Sequence, residues 1–140
     1  MRGNHYIRSY STTQAAPSLS SGESEYHGLT KAASSAIGMQ SMGRDLGEDL
    51  TTEVGMDASA AIAMAKRRGV GRVRHLHTMY LWVQHLVYKK MLNIAKVPGS
   101  DNAADVGTKH VDERTLWKHM EFIGQHSKQG KSKIALKAAL

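Results

Sequence analysis

The apolar positions change period several times along this chain. Between Gly22 and Leu46, the positions Tyr26, Leu29, Ala33, Ala36, Ile37 and Gln40 recur at intervals of three and four. That spacing predicts one long amphipathic helix with its apolar members on a single stripe. Gly47 is a natural stop for it. Ser20, with Glu23 three residues on, is a capping-box pattern for its start. Residues 51–57, TTEVGMD, carry β-branched Thr and Val and predict a short strand ending on Asp57. ASAAIAMAKR, 58–67, predicts a second helix, closed by Gly69. Residues 73–90 predict a third, with Leu76, Tyr80, Val83 and Val87 on one face. MLNIAKV, 91–97, predicts another strand, broken by Pro98 and Gly99.

A helix is expected to start near Asp101 and carry Asp105. Another should run from Asp112 to about Ile123, burying Leu116, Met120 and Ile123. Trp82 and Trp117 fall among apolar helical neighbours and are expected in the core. At the start of the chain, HYIRSYS (residues 5–11) alternates as a strand does. A Ser/Thr connector with short-strand potential at 17–20 follows it. The resulting order is strand, helix, strand, helix, helix, strand, helix. It predicts an α/β layer with parallel pairing between residues 51–57 and 91–97. The two helices between those strands are long enough for a crossover.

Length permits one domain. Residues 1–4 read as a leader and residues 126–140 as a basic tail, with Lys128, Lys131, Lys133 and Lys137 and no acid. Lys and Arg number 19 against 12 Asp and Glu, for a net charge of +7. Such a balance favours polyanionic partners through counterion release, or serves only as a solubilising surface. There is no cysteine, which excludes disulfides, thiolate zinc sites and cysteine nucleophiles. No apolar run approaches the ~20 residues of a membrane span. MRGNHYIRSYSTTQ lacks the apolar stretch of a signal peptide. The expected setting is intracellular, cytoplasmic or nuclear, without a membrane partner.

Three carboxylates occupy special places. Glu25 is expected in the first turn of a helix, Asp57 at the carboxyl end of a strand, and Asp105 in the first turn of a later helix. In open α/β sheets, sites gather at the carboxyl ends of parallel strands. Clustered carboxylates repel and need cations, and magnesium prefers such hard oxygen ligands. Each position also has a plain reading: an acid complementing a helix dipole, an N-cap, or a solvated helix residue.

SLSSGESEYHGLTKAA, EVGMDASAAIAMAK, VRHLHTMYLWVQHL and KVPGSDNAADVGTKHV, in that order, resemble the RNase H domain at the end of copia-type retrotransposon polyproteins. The resemblance runs from about His5 to Gly124. It implies an RNase H-like domain over residues 5–125, a mixed sheet with flanking helices. By the family's pattern, Glu25, Asp57 and Asp105 are the catalytic and metal-holding acids. Glu23 then belongs to the cap. The implied activity is cleavage of the RNA strand of RNA–DNA hybrids with magnesium, or manganese in its place. The implied neighbour is an upstream reverse transcriptase domain. Arg72, Arg74, His75 and Lys109 are the expected nucleic-acid contacts.

The chain departs from that pattern at its start. The family's first catalytic aspartate stands on the first strand, but here the first Asp is Asp45. The first two strands and one metal ligand are therefore missing, and the chain alone is expected to be inactive. Without those strands, either an edge lies open or residues 5–11 pair directly with 51–57. The alternative function is a basic, non-catalytic module that binds nucleic acid or protein. A third reading is a helical scaffold whose acids are all caps. His75, His77, His85, His110 and His119 lack the close His-x-x-x-His spacing of a zinc site. Lys66, Arg67, Arg68, Lys89 and Lys90 close helices, where dipole complementarity explains them as well as nucleic acid does.

Overall fold

Ser20 begins the longest element. Its backbone is extended (φ −152°, ψ 158°), and its Oγ accepts the Glu23 N–H at 3.2 Å. Glu23 Oε2 in turn accepts the Leu19 N–H at 2.9 Å. The capping box is thus present, closing one residue further back than the usual form. Helix α1 follows, Ser21–Asp45. Tyr26, Leu29 and Ala33 are buried along it, with Ala36 and Ile37 partly buried beside them. Gln40, at the end of the stripe, donates from Nε2 to the Leu50 carbonyl at 2.7 Å. Gly47, at φ +78°, stops the helix and donates its N–H to the Arg44 carbonyl. Left-handed backbone of this kind suits a residue without Cβ. Replacing Ser20 with Ala leaves the Glu23 N–H without its partner. The expected loss, read from a urea melt, is about 1 kcal/mol.

The computed structural model describes residues 6–14, 17–69 and 78–125. They form two compact units, a larger one of Thr12–Asn102 and a smaller one holding residues 6–11 and 103–125. In the larger unit α1 is followed by β1 (Glu53–Met56), α2 (Ser59–Lys66), α3 (Thr78–Tyr88) and β2 (Asn93–Lys96). The strands pair in parallel, from Glu53 opposite Asn93 to Met56 opposite Lys96. The core gathers Tyr26, Leu29 and Ala33 of α1 with Met56, Ala61, Met64, Ala65, Tyr80, Val83, Leu86, Leu92 and Ile94. Each large side chain fully buried there contributes about 1.5–3 kcal/mol. Helices α1 and α3 are also joined by a polar contact: the Tyr26 hydroxyl donates to the Tyr80 carbonyl at 2.7 Å. The Tyr80 hydroxyl bonds the His27 ring in return.

In the smaller unit a 3-10 turn, Ala103–Gly107, packs on α4, Glu113–Phe122. Among the described residues, no helix is long and apolar enough to cross a membrane.

The α/β order and the parallel pairing match the expectation, and several details correct it. Residues 6–11 form no strand, nor do 17–20, and the sheet of the described residues contains only β1 and β2. Alternation alone does not hold a strand, because its N–H and C=O groups need a ladder partner. The direct pairing of 5–11 with 51–57 is therefore absent from the described residues, and the sheet they form is parallel rather than mixed. The helix expected from Asp101 is instead two 3-10 turns, Gly99–Asp101 and Ala103–Gly107. Trp82 and Trp117 are exposed. In α4, Leu116, Met120 and Ile123 are only partly buried, whereas His119 is buried. A short helix can place an amphipathic ring inside when its apolar stripe meets little to pack on. Leu76 and the rest of the expected start of α3 at 73–77 lie outside the described residues, as do the tail at 126–140 and residues 1–4.

Candidate nucleic-acid and metal site

Asp57 directly follows β1 and precedes α2 by one residue. The parallel register sets what surrounds it. Lys96, opposite Met56, extends its Nζ to the Asp57 carbonyl and to Ser59 Oγ, the latter at 2.8 Å. The Val97 N–H closes the ladder on the Met56 carbonyl at 2.8 Å. The chain then turns through Pro98 into Gly99. A methyl group added at Gly99 would rest 3.8 Å from Asp57 Oδ2, so this turn runs beside the carboxylate. Asp57 is partly exposed there.

Glu25 is exposed in the opening turns of α1, one residue before the fully buried Tyr26. Gly22 brings this helix start close to α2. A Cβ built on Gly22 would stand 3.0 Å from Ala60 Cβ and 3.5 Å from Met64 Cε. Only a residue without a side chain lets the two backbones approach so nearly. The start of the helix carrying Glu25 thus packs on the start of the helix that follows Asp57. Both helix starts direct N–H groups outward, which favours anionic groups at that end.

Asp105 belongs to the smaller unit. It sits partly buried in the Ala103–Gly107 turn, and Lys109 Nζ reaches its Oδ1 at 3.0 Å. The Asp105 carbonyl also accepts the Thr108 and Lys109 N–H groups at 3.0 and 2.8 Å. Lys109, expected as a nucleic-acid contact, is here the ion-pair partner of the late carboxylate. Arg72, Arg74, His75 and His77 lie outside the described residues.

By donor type, Glu25 and Asp57 suit a hard cation such as magnesium. Among the described residues, no three His, Cys, Asp or Glu side chains gather into a group that could hold a metal. The larger unit therefore supplies two of the three acids singled out in the sequence. Reading the sequence missed Lys96 and Gly22. Lys96 could have been found as the last residue of a strand paired beside Asp57. Gly22 was read only as the start of a helix, and nothing in the local pattern shows that another helix packs against it.

Over 119 residues, 84% of its length, the chain is 28% identical to the Retrovirus-related Pol polyprotein from transposon TNT 1-94 of Nicotiana tabacum. The chain is similar to a transposon Pol polyprotein. It spans 9% of that relative's length. No family model and no solved structure matches it.

Proposed function

We propose that this chain is the RNase H-like segment of a retrotransposon Pol polyprotein, with Glu25, Asp57 and Asp105 as its metal-holding acids. The observation that carries the reading is the packing of Gly22 on Ala60, which sets the helix start of Glu25 against that of Asp57 at the carboxyl end of a parallel strand. Similarity to a Pol polyprotein supports it. Magnesium bound by such acids supplies charge stabilisation and an activated water for phosphodiester hydrolysis. Glu25 and Asp57 offer the oxygen ligands. Lys96, anchored at the Asp57 carbonyl, sets a positive charge beside that acid, of the kind that contacts backbone phosphates.

The chain has no aspartate ahead of Glu25 to complete the set that its resemblance implies. The purified chain is expected to bind a labelled RNA–DNA hybrid at low salt without cleaving it. Manganese is expected to broaden the amide resonances around Glu25 and Asp57 together, and Glu25→Gln with Asp57→Asn to abolish that broadening. Lack of hybrid binding, or broadening confined to other sites, overturns the proposal. Cleavage that disappears in those two variants overturns the inactivity of the chain alone.

The ion pair between Lys109 and Asp105 favours a second reading. With that acid neutralised by a lysine, the chain acts as a basic, non-catalytic binding module. Binding that weakens steeply with salt, and is indifferent to magnesium and to both substitutions, marks this outcome.

A further inference from the structure

Helices α2 and α3 end side by side, at the strand end opposite Asp57. Asn93, the first residue of β2, pairs with Glu53, the first of β1. Four residues of extended chain separate Glu53 from Asp57, roughly 13 Å. The buried side chain of Gln84 locks the two helix ends together. Its Nε2 donates to the Met64 and Gly69 carbonyls at 2.9 and 3.0 Å, and its Oε1 accepts the Gly69 N–H at 2.9 Å. Arg68 lies over the Tyr88 ring, 4.4 Å from its centroid, on the same seam.

Lys66, Arg68, Lys89 and Lys90 stand at or just after these helix ends, and Lys66 and Lys90 line the space between them, whereas Arg67 acts on the Tyr26 hydroxyl. The two helix ends carry about half a negative charge each, so these four cations exceed what the dipoles require. Between the helix ends and β2 opens a cavity of about 380 Å³, lined by Lys66, Val87, Lys90, Leu92, Asn93 and Ile94. Its floor is apolar, since Leu92 and Ile94 are buried and Val87 partly so. The Glu53 carboxylate beside it is engaged by Asn93 Nδ2 at 2.5 Å.

Lys90 is a conformational exception. It adopts φ +57°, the described non-glycine residue with left-handed backbone. Its N–H bonds the Val87 carbonyl, and the Met91 N–H bonds that of Leu86. This is the Schellman ending, whose left-handed position is usually glycine. The chain keeps a cation in a conformation that disfavours any side chain, and that cation lines the cavity. Strain retained at one residue points to a use for its side chain.

We propose that this cavity binds one nucleotide of a single-stranded nucleic acid. The phosphate lies between the Lys66 and Lys90 ammonium groups. The base rests against Val87, above the buried Leu92 and Ile94, and meets the Asn93 amide oxygen at its edge, the amide nitrogen being held by Glu53. Exposed Tyr88, with Arg68 stacked on it, offers the next base a platform. The site is independent of Glu25 and Asp57 and holds whether or not the chain cleaves hybrids.

The test uses the full chain. In amide NMR titrations, 5′-AMP is expected to shift residues 66, 87 and 90–94 saturably, and to bind more tightly than inorganic phosphate or adenosine. Lys90→Gly relieves the strained backbone while removing the cation. It is expected to keep or raise the melting temperature, yet weaken binding of a labelled short oligothymidylate about five- to tenfold at low salt. Lys66→Gln is expected to weaken it similarly, each substitution flattening the salt dependence by about 0.7. Lys31→Gln, an exposed cation of α1 outside the cavity lining, should bind the oligonucleotide as the parent chain does. Three results overturn the proposal: Lys90→Gly binding unchanged, phosphate alone binding as tightly as 5′-AMP, or shifts scattered over other basic positions.

Discussion

Tyr26→Ala is expected to destabilise the larger unit by about 3–5 kcal/mol, enough to unfold much of a small domain at room temperature. Tyr26 is fully buried and packs its ring 5.5 Å from that of Tyr80. Truncation leaves a cavity at the crossing of α1 and α3. It also removes the hydroxyl that satisfies the Tyr80 carbonyl. A urea melt followed by helical circular dichroism measures the loss, and a midpoint unchanged from the parent would contradict this account of the core. Tyr26→Phe separates the two contributions. At neutral pH it forfeits only the hydrogen bond, about 1 kcal/mol.

At high pH the same variant has the opposite effect. Burial pushes the Tyr26 hydroxyl up to about 12, partly offset by the Arg67 guanidinium. The ordinary value, 10, applies in the unfolded chain, so the folded state favours the neutral phenol. That contribution is complete below pH 10 and disappears as pH rises toward 12. Tyr26→Phe is therefore expected to lose less stability than the parent across that interval.

Gln84→Leu is expected to cost about 2–4 kcal/mol despite its similar volume. The leucine leaves the Met64 and Gly69 carbonyls and the Gly69 N–H without the partner that closes α2. Because α2 has no side-chain hydrogen bond at its start, its ending carries more of its stability. Hydrogen exchange should accelerate first in residues 62–66. Equal protection in parent and variant would show that Gln84 does not hold that end. Gln84→Glu should fare no better, since a carboxylate cannot donate to either carbonyl.

Most of the helical frame was legible because apolar periodicity and punctuation agreed. The α1 stripe from Tyr26 to Gln40, the Ser20–Glu23 cap and the Gly47 stop all predict the same boundaries, and the structure holds them within a residue. Asp57 was placed at a strand end by the switch from VGM to an alanine-rich helix. The N-terminal segment misled, because HYIRSYS has strand-like alternation but no ladder partner among the described residues. Trp82 and Trp117 misled for a related reason: helical periodicity gives a face, and only neighbouring elements decide whether that face is covered.

The sequence by itself determined which acids stand at element ends, and hence that Glu25, Asp57 and Asp105 were worth weighing. Their predicted settings are local: a first helical turn for Glu25, a strand terminus for Asp57 and, for Asp105, a helix start that is a 3-10 turn in the structure. Tertiary structure decided how they are surrounded. It set Gly22 against Ala60, brought Lys96 to the Asp57 carbonyl and joined the basic ends of α2 and α3 around Gln84. It placed Asp105 in the smaller unit with Lys109. These are contacts between residues far apart in the chain, and periodicity carries no record of them. They follow from which backbones can approach closely and which buried polar groups must find partners once the core has formed.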